Sequence, residues 1–144
     1  MNFYDSEKMS DLLMNHGYAT TDTQEDADLI IVNTCHIREK ASEKLFSDLG
    51  RIKKIKDKKR LTVAVTGCVA QAEGEQISAR APFVDLITGP QSYHRLPEML
   101  RKIANGKNIS PLLEFMPNEK FDNLEFGKNK KGPTSFVSIQ EGCD

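Results

Sequence analysis

The sequence predicts an α/β domain in which an open parallel sheet is flanked by helices. Three short apolar runs, at 29–33, 61–66 and 84–88, have the composition of strands that are covered on both faces. Each run is followed by a turn and then by apolar residues at spacings of three and four, which is typical of an amphipathic helix. Strands that alternate with helices indicate parallel pairing through right-handed crossovers. The length of 144 residues, 38% of them apolar, fits one main core.

The first two helices flank the first strand. Asp5 is a residue type that caps helices, and Gly17 has the place of a C-terminal glycine, so we expect a helix between them. The second helix should follow the first strand, with Gly50 weakening it by up to ~1 kcal/mol relative to Ala. Its predicted apolar face consists of Ile37, Ala41, Leu45, Leu49, Ile52 and Ile55.

Proline and glycine residues mark the ends of the later helices. A turn at 67–68 should lead into a helix over 70–81, which Pro82 ends. After the third strand, Gly89 and Pro90 make a turn, and His94 is expected in a loop. A last helix should begin near Pro97, which suits the first helical position, and should end at Gly106.

The pattern changes in the last quarter of the chain. We predict that 1–116 form the α/β domain and that 117–133, with Pro, Gly, Lys and Asn, form a linker. The segment 134–144 then contains one more strand, which we interpret as the start of a different domain.

Charge and cysteine content exclude several classes of protein. With 20 basic and 21 acidic residues, the chain is not a polycation that holds nucleic acid by charge alone. The basic run at 51–60 fits either a solvated helix end or a contact with RNA phosphates. No apolar run is long enough to span a membrane, and no signal peptide is visible. Three cysteines are too few for a secreted disulfide framework, so we expect a cytoplasmic protein without membrane contact.

Two cysteines follow two of the predicted strands directly. Cys35 and Cys68 should lie at the carboxyl edge of the sheet, about 5–10 Å apart, because neighbouring parallel strands are ~4.8 Å apart. That distance suits thiolates that share an iron–sulfur cluster or a metal. Burial as small hydrophobic residues and a redox disulfide remain alternatives. Two thiolates also do not complete a cluster, which usually has four cysteine ligands.

Several neighbours of these cysteines are candidates for supporting roles. Asn33 and Thr34, with Gly67 in the second turn, could hydrogen-bond cluster sulfurs, or the polar pair could simply cap the next helix. His36 and His94 are weaker candidates as ligands, because helix capping and a loop position explain them.

Several sequence blocks together resemble the radical-SAM methylthiotransferases. The blocks lie in the family's order, at 1–9, 33–41, 67–71, 89–91 and 136–144. Segments 94–97 and 119–122 resemble the branch that modifies tRNA rather than the branch that modifies a ribosomal protein. The resemblance implies a flavodoxin-like or Rossmann-like amino-terminal domain, a radical-SAM barrel and an RNA-binding domain.

The resemblance also implies cofactors. Two 4Fe–4S clusters and S-adenosylmethionine belong to the family. By their motifs, Cys35 and Cys68 match the second and third ligands of the amino-terminal cluster, and Cys143 matches the first ligand of the radical-SAM cluster. The family's first cysteine lies in a Gly-Cys-Gln-Met-Asn motif, whereas this sequence begins at its Met-Asn. We therefore expect a fragment without the first strand, inactive alone.

The implied activity is methylthiolation at C2 of N6-isopentenyladenosine, at position 37 of tRNA, by an enzyme that is monomeric. Two alternatives stay open at this point. One is methylthiolation of a ribosomal protein, and the other is a non-catalytic, flavodoxin-like binding domain.

Overall fold

The predicted parallel sheet is confirmed. The computed structural model describes residues 2–34 and 40–106. Its strands β1 (Leu29–Thr34), β2 (Thr62–Gly67) and β3 (Leu86–Thr88) pair in parallel, in the order β1-β2-β3. The helices are α1 (Asn2–Met14), α2 (Ala41–Lys56), α3 (Cys68–Arg80) and α4 (Leu96–Ala104), and a 3-10 helix covers Pro90–Arg95. The predicted linker, the last predicted strand and Ile37 lie outside the described residues.

Helices cover both faces of the sheet. Side chains alternate along each strand, so that Val63 and Val65 pack with α2 and α3, while Ala64 between them packs with α1 and α4. β2 is almost wholly buried, whereas every residue of β1 is half-buried. The first core includes Leu45, Leu49, Ile52, Val69, Ile77 and Ile87, and the second includes Met9, Leu13, Leu86, Leu96 and Leu100.

Helix α1 ends as the sequence predicts but begins earlier. Gly17 has a φ of 89°, and its N–H bonds the Met14 carbonyl at 3.2 Å while the Tyr18 N–H bonds the Leu13 carbonyl at 3.1 Å. These two hydrogen bonds together form the Schellman motif, which a glycine in the left-handed conformation permits. The assignment of Asp5 as the cap was wrong, because the helix starts at Asn2 and Asp5 lies in its first turn. An acidic side chain there favours the helix through the macrodipole.

Strand β3 is shorter than predicted because a side chain replaces part of its ladder. The Asp85 N–H donates to the Val63 carbonyl at 2.9 Å, and the Val63 N–H donates to Asp85 Oδ2 at 2.8 Å. The same carboxylate oxygen lies 2.5 Å from Lys56 Nζ, which also donates to the Phe83 carbonyl at 2.8 Å. The end of α2 is thus attached to the start of β3.

Two further expectations were wrong in detail. Cys68 is the first residue of α3 rather than part of the turn, and α3 has a kink at Glu73, where Ser42 Oγ donates to the carboxylate at 2.7 Å. His94 lies half-buried in the 3-10 helix rather than in a loop. This helix starts at Pro90 and leads directly into α4, in whose first turn Pro97 lies.

Membrane insertion finds no support in the part of the chain described. None of its helices combines the length and the apolar character that crossing a bilayer requires.

Candidate functional site

The carboxyl ends of β1 and β2 lie side by side. Thr34 is the register partner of Gly67, and Asn33 is the partner of Thr66. Cys68 follows Gly67 directly and is half-buried at this edge. Cys35, which follows Thr34 in the sequence, lies outside the described residues, so its predicted proximity to Cys68 stays a prediction.

Gly67 allows the two strand ends to approach more closely than any other residue would. Its φ of 100° and ψ of −169° belong to a region that only glycine adopts readily. A Cβ at this position would lie 2.1 Å from the Thr34 carbonyl oxygen and 2.8 Å from Asn33 Oδ1. The Thr34 hydroxyl also donates to the Thr66 carbonyl at 3.1 Å. The structure therefore gives Gly67 a steric role, which places Cys68 immediately beside the end of β1.

A row of polar side chains crosses the sheet at the same edge. Asn33, Thr66 and Thr88 are register partners across the three strands. Thr66 and Thr88 are fully buried, on the face covered by α1, α4 and the 3-10 helix. Thr88 Oγ1 has no hydrogen-bond partner among residues 2–34 and 40–106. We call Asn33, Thr66 and Thr88 the polar row.

Tyr93 of the 3-10 helix packs onto the polar row. It is 3% exposed, and its hydroxyl donates to Asn33 Oδ1 at 3.4 Å. Burial raises the pKa of Tyr93 most, and negative charge on Asp5 or Cys68 raises it further. The phenol therefore keeps its proton and remains a hydrogen-bond donor.

Cys68 is the one predicted cluster ligand within the described ranges. A cysteine thiolate is the ligand that such clusters take, and Cys68 lies at the ligand-binding edge of a parallel sheet. Within the described ranges, no three His, Cys, Asp or Glu side chains come together as a metal group. Two of the predicted ligands, Cys35 and Cys143, are outside those ranges, as is His36.

Sequence reasoning identified part of this site and missed part of it. Asn33, Thr34 and Gly67 were candidates from the sequence, and all three lie at the edge beside Cys68. Tyr93 was missed, and so was Ser6, whose Oγ accepts from Asn33 Nδ2 at 3.0 Å. Both come from helices that are distant in sequence. The available signal was that each predicted apolar run, at 29–33, 61–66 and 84–88, ends in Asn or Thr, which is unusual for strands buried on both faces.

The basic run lies at the other end of the molecule. Lys56 contacts Asp85 before β3, and Lys59 Nζ lies 3.6 Å from Asp28 before β1. Arg51 also lies 3.5 Å from an Asp48 carboxylate oxygen. Because the contacts of Lys56 and Lys59 occur at the amino ends of strands, they support a helix-end role for the run, away from Cys68.

Comparisons with known proteins agree with the resemblance seen in the sequence. Residues 1–89 match the sequence model of a family described as "Uncharacterized protein family UPF0004". Proteins named tRNA-2-methylthio-N(6)-dimethylallyladenosine synthase are 54% identical over 146 residues in a Ruegeria species and 54% over 152 residues in Bartonella tribocorum. One from Cereibacter sphaeroides is 52% identical over 145 residues. Each match covers 100% of this chain and 33% of the relative, so the chain spans one third of their length.

Proposed function

We propose that this chain, which belongs to the protein family UPF0004, is part of an enzyme that adds a methylthio group to a dimethylallyl-modified adenosine in tRNA. The observation that carries the proposal is the 54% identity with synthases of that name along the whole chain. Their name favours the tRNA reaction over a ribosomal-protein substrate and over a non-catalytic binding domain. A tRNA substrate also favours a cytoplasmic site of action.

The proposed role of the sheet edge is to hold one of two 4Fe–4S clusters. Cys68 and Cys35 would be ligands of the first cluster, and Cys143 would be a ligand of the second. When bound, the clusters and S-adenosylmethionine would supply the sulfur, the electron and the methyl group for the reaction. The register pairing of Thr34 with Gly67 supports this assignment, because the two cysteines each follow one of these partners in the chain.

The protein's own residues would orient and shield this group. Gly67 fixes the start of α3 against β1, and the two apolar cores on either face keep water away from the strands. Asn33 would present its amide beside the cluster sulfurs, where hydrogen bonds and burial set the reduction potential. Thr34, whose hydroxyl donates to the Thr66 carbonyl, would line the site without donating to the sulfurs. The basic run, at the opposite end, is not needed for this role.

A chimeric enzyme tests the proposal. The aligned third of the Ruegeria synthase is replaced by this chain, and the chimera is expressed in a bacterium that lacks its own tRNA methylthiotransferase. Mass spectrometry of digested tRNA should then detect 2-methylthio-N6-dimethylallyladenosine. Cys68→Ala and Cys35→Ala should each abolish the signal, whereas Ser78→Ala, a similar truncation on α3, should retain it.

Two results would contradict the proposal. One is an abundant, folded chimera that leaves tRNA unmodified. The other is a Cys68→Ala variant that modifies tRNA as well as the parent chimera. A methylthio group found on a ribosomal protein instead would favour the alternative substrate.

A further inference from the structure

The Asn33 side chain is held from two sides by residues far away in sequence. Its Nδ2 donates to Ser6 Oγ of α1 at 3.0 Å, and its Oδ1 accepts from the Tyr93 hydroxyl at 3.4 Å. An amide carries its donors and its acceptor on opposite branches, so these two contacts together fix which way the side chain points. Asn33 therefore connects α1, β1 and the 3-10 helix.

The same oxygen of Asn33 also lies against the turn that precedes Cys68. Asn33 Oδ1 is 2.8 Å from the point that a Cβ of Gly67 would occupy. Asn33 Oδ1 thus lies between the Tyr93 hydroxyl and Gly67, the residue directly before Cys68. Asn33 Oδ1 therefore occupies the space that the missing side chain of Gly67 leaves open.

We propose that Tyr93 is a positioning residue for Cys68, because its hydroxyl holds Asn33 against the Gly67 turn and so fixes the place from which the thiolate binds. That the group bound is an iron–sulfur cluster rests on the function proposed above, whereas the contact chain from Tyr93 to Asn33 to Gly67 does not. The role is one of geometry, since Tyr93 acts on Cys68 through Asn33.

The surroundings of Tyr93 make it suited to this task. The ring is almost wholly buried against the polar row, so water cannot replace the hydroxyl readily if it is removed. Burial and the nearby charges of Asp5 and Cys68 keep the pKa of Tyr93 above its ordinary value, so the donor proton is retained. Tyr93→Phe would leave Asn33 Oδ1 without this donor while it keeps the ring in place.

The test compares the reactivity of Cys68 in the full 144-residue chain and in Tyr93→Phe. Iodoacetamide is added at one fixed pH, and mass spectrometry of peptides gives the alkylation rate of Cys68 alone. We expect the rate to change about fivefold, the change that corresponds to one typical buried hydrogen bond. After anaerobic reconstitution of the Ruegeria chimera with iron and sulfide, Tyr93→Phe should also shift the midpoint potential of the amino-terminal cluster, because the setting of its ligands determines it.

Three controls separate positioning from general loosening. Tyr18→Phe removes a hydroxyl from a tyrosine that is 37% exposed, and Ile52→Val truncates the core on the other face of the sheet. Neither should change the Cys68 rate or the potential. In a double-mutant cycle, Asn33→Ala should change the rate by itself, and Tyr93→Phe should add little to it.

The outcomes are decisive for the inference and separate it from the proposed function. An unchanged Cys68 rate in Tyr93→Phe, or effects of the two substitutions that simply add, would overturn it. If Tyr93→Phe does not fold, Asn33→Ala alone must change the rate, and no change overturns the inference. A chimera that takes up no more iron and sulfide than its Cys68→Ala variant would count against the proposed function, while the alkylation rates would still decide the role of Tyr93.

Discussion

Replacing Gly67 by alanine should be among the most damaging single changes in the described part of the chain. At a φ of 100°, an L-residue stores about 1–3 kcal/mol of backbone strain. The new Cβ would also lie 2.1 Å from the Thr34 carbonyl oxygen and 3.0 Å from the Thr34 nitrogen, which are backbone atoms that cannot rotate away. Relief of such a contact costs about 1–3 kcal/mol more. The sum, about 2–6 kcal/mol, is a large fraction of the 5–15 kcal/mol that stabilises a typical domain.

Two other glycines separate the strain from the contact. Gly17 has a φ of 89° with nothing within 4 Å of its missing Cβ, so Gly17→Ala should cost only the left-handed backbone, about 1–2 kcal/mol. Gly50 lies inside α2 with open space around it, so Gly50→Ala should stabilise the protein by about 0.5–1 kcal/mol.

Urea unfolding measured by far-UV circular dichroism gives the three values. The chain has no tryptophan, so the backbone signal is the better probe. We expect the free energy of unfolding to be highest for Gly50→Ala, followed by the wild type, then Gly17→Ala, and lowest for Gly67→Ala. Equal losses in Gly17→Ala and Gly67→Ala would refute the argument that β1 and the 67–68 turn are in closer contact than a side chain permits.

Three further outcomes are expected. Lys56→Met should lower the free energy of unfolding in urea by about 1–2 kcal/mol, because it removes the cation from the half-buried Asp85 carboxylate. Arg51 is 74% exposed, so Arg51→Ala should change that free energy by less than about 0.5 kcal/mol. Equal effects of the two substitutions would contradict this. The raised pKa of Tyr93 means that the folded state keeps a proton that the unfolded state loses above its ordinary pKa of 10.0. Stability should therefore be complete below about pH 10 and fall above it, and Tyr93→Phe should show a smaller fall; identical pH profiles would disprove the assignment. In filter binding the chain should bind tRNA weakly, because its formal net charge is −1, and the binding should weaken further as the salt concentration rises. The affinity should be the same with and without the dimethylallyl group on the tRNA. Tight, salt-resistant binding would argue against the helix-end role of 51–60.

The features that depend on neighbours in the chain were predictable without the fold. Apolar runs of five or six residues predicted the three strands, and spacings of three and four predicted the main helices. Gly17 marked the end of α1, because a left-handed residue is needed at that point whatever packs on the helix. The position of Cys68 directly after a strand was also visible, since it requires only that β2 and α3 be recognised.

The features that depend on contacts between distant segments became visible only in the folded chain. The strand register aligns Asn33, Thr66 and Thr88 in one row, and the local sequence around each strand end does not predict that alignment. Asn33 finds its partners 27 and 60 residues away, in Ser6 and Tyr93, so neither could be chosen by periodicity. The shortening of β3 also depends on a distant partner, because the Asp85 carboxylate accepts a hydrogen bond from the Val63 N–H, 22 residues earlier. The spacing of apolar residues shows which face of a helix or strand is buried. A buried hydrogen bond instead requires that two distant partners come together, and only folding of the chain does that.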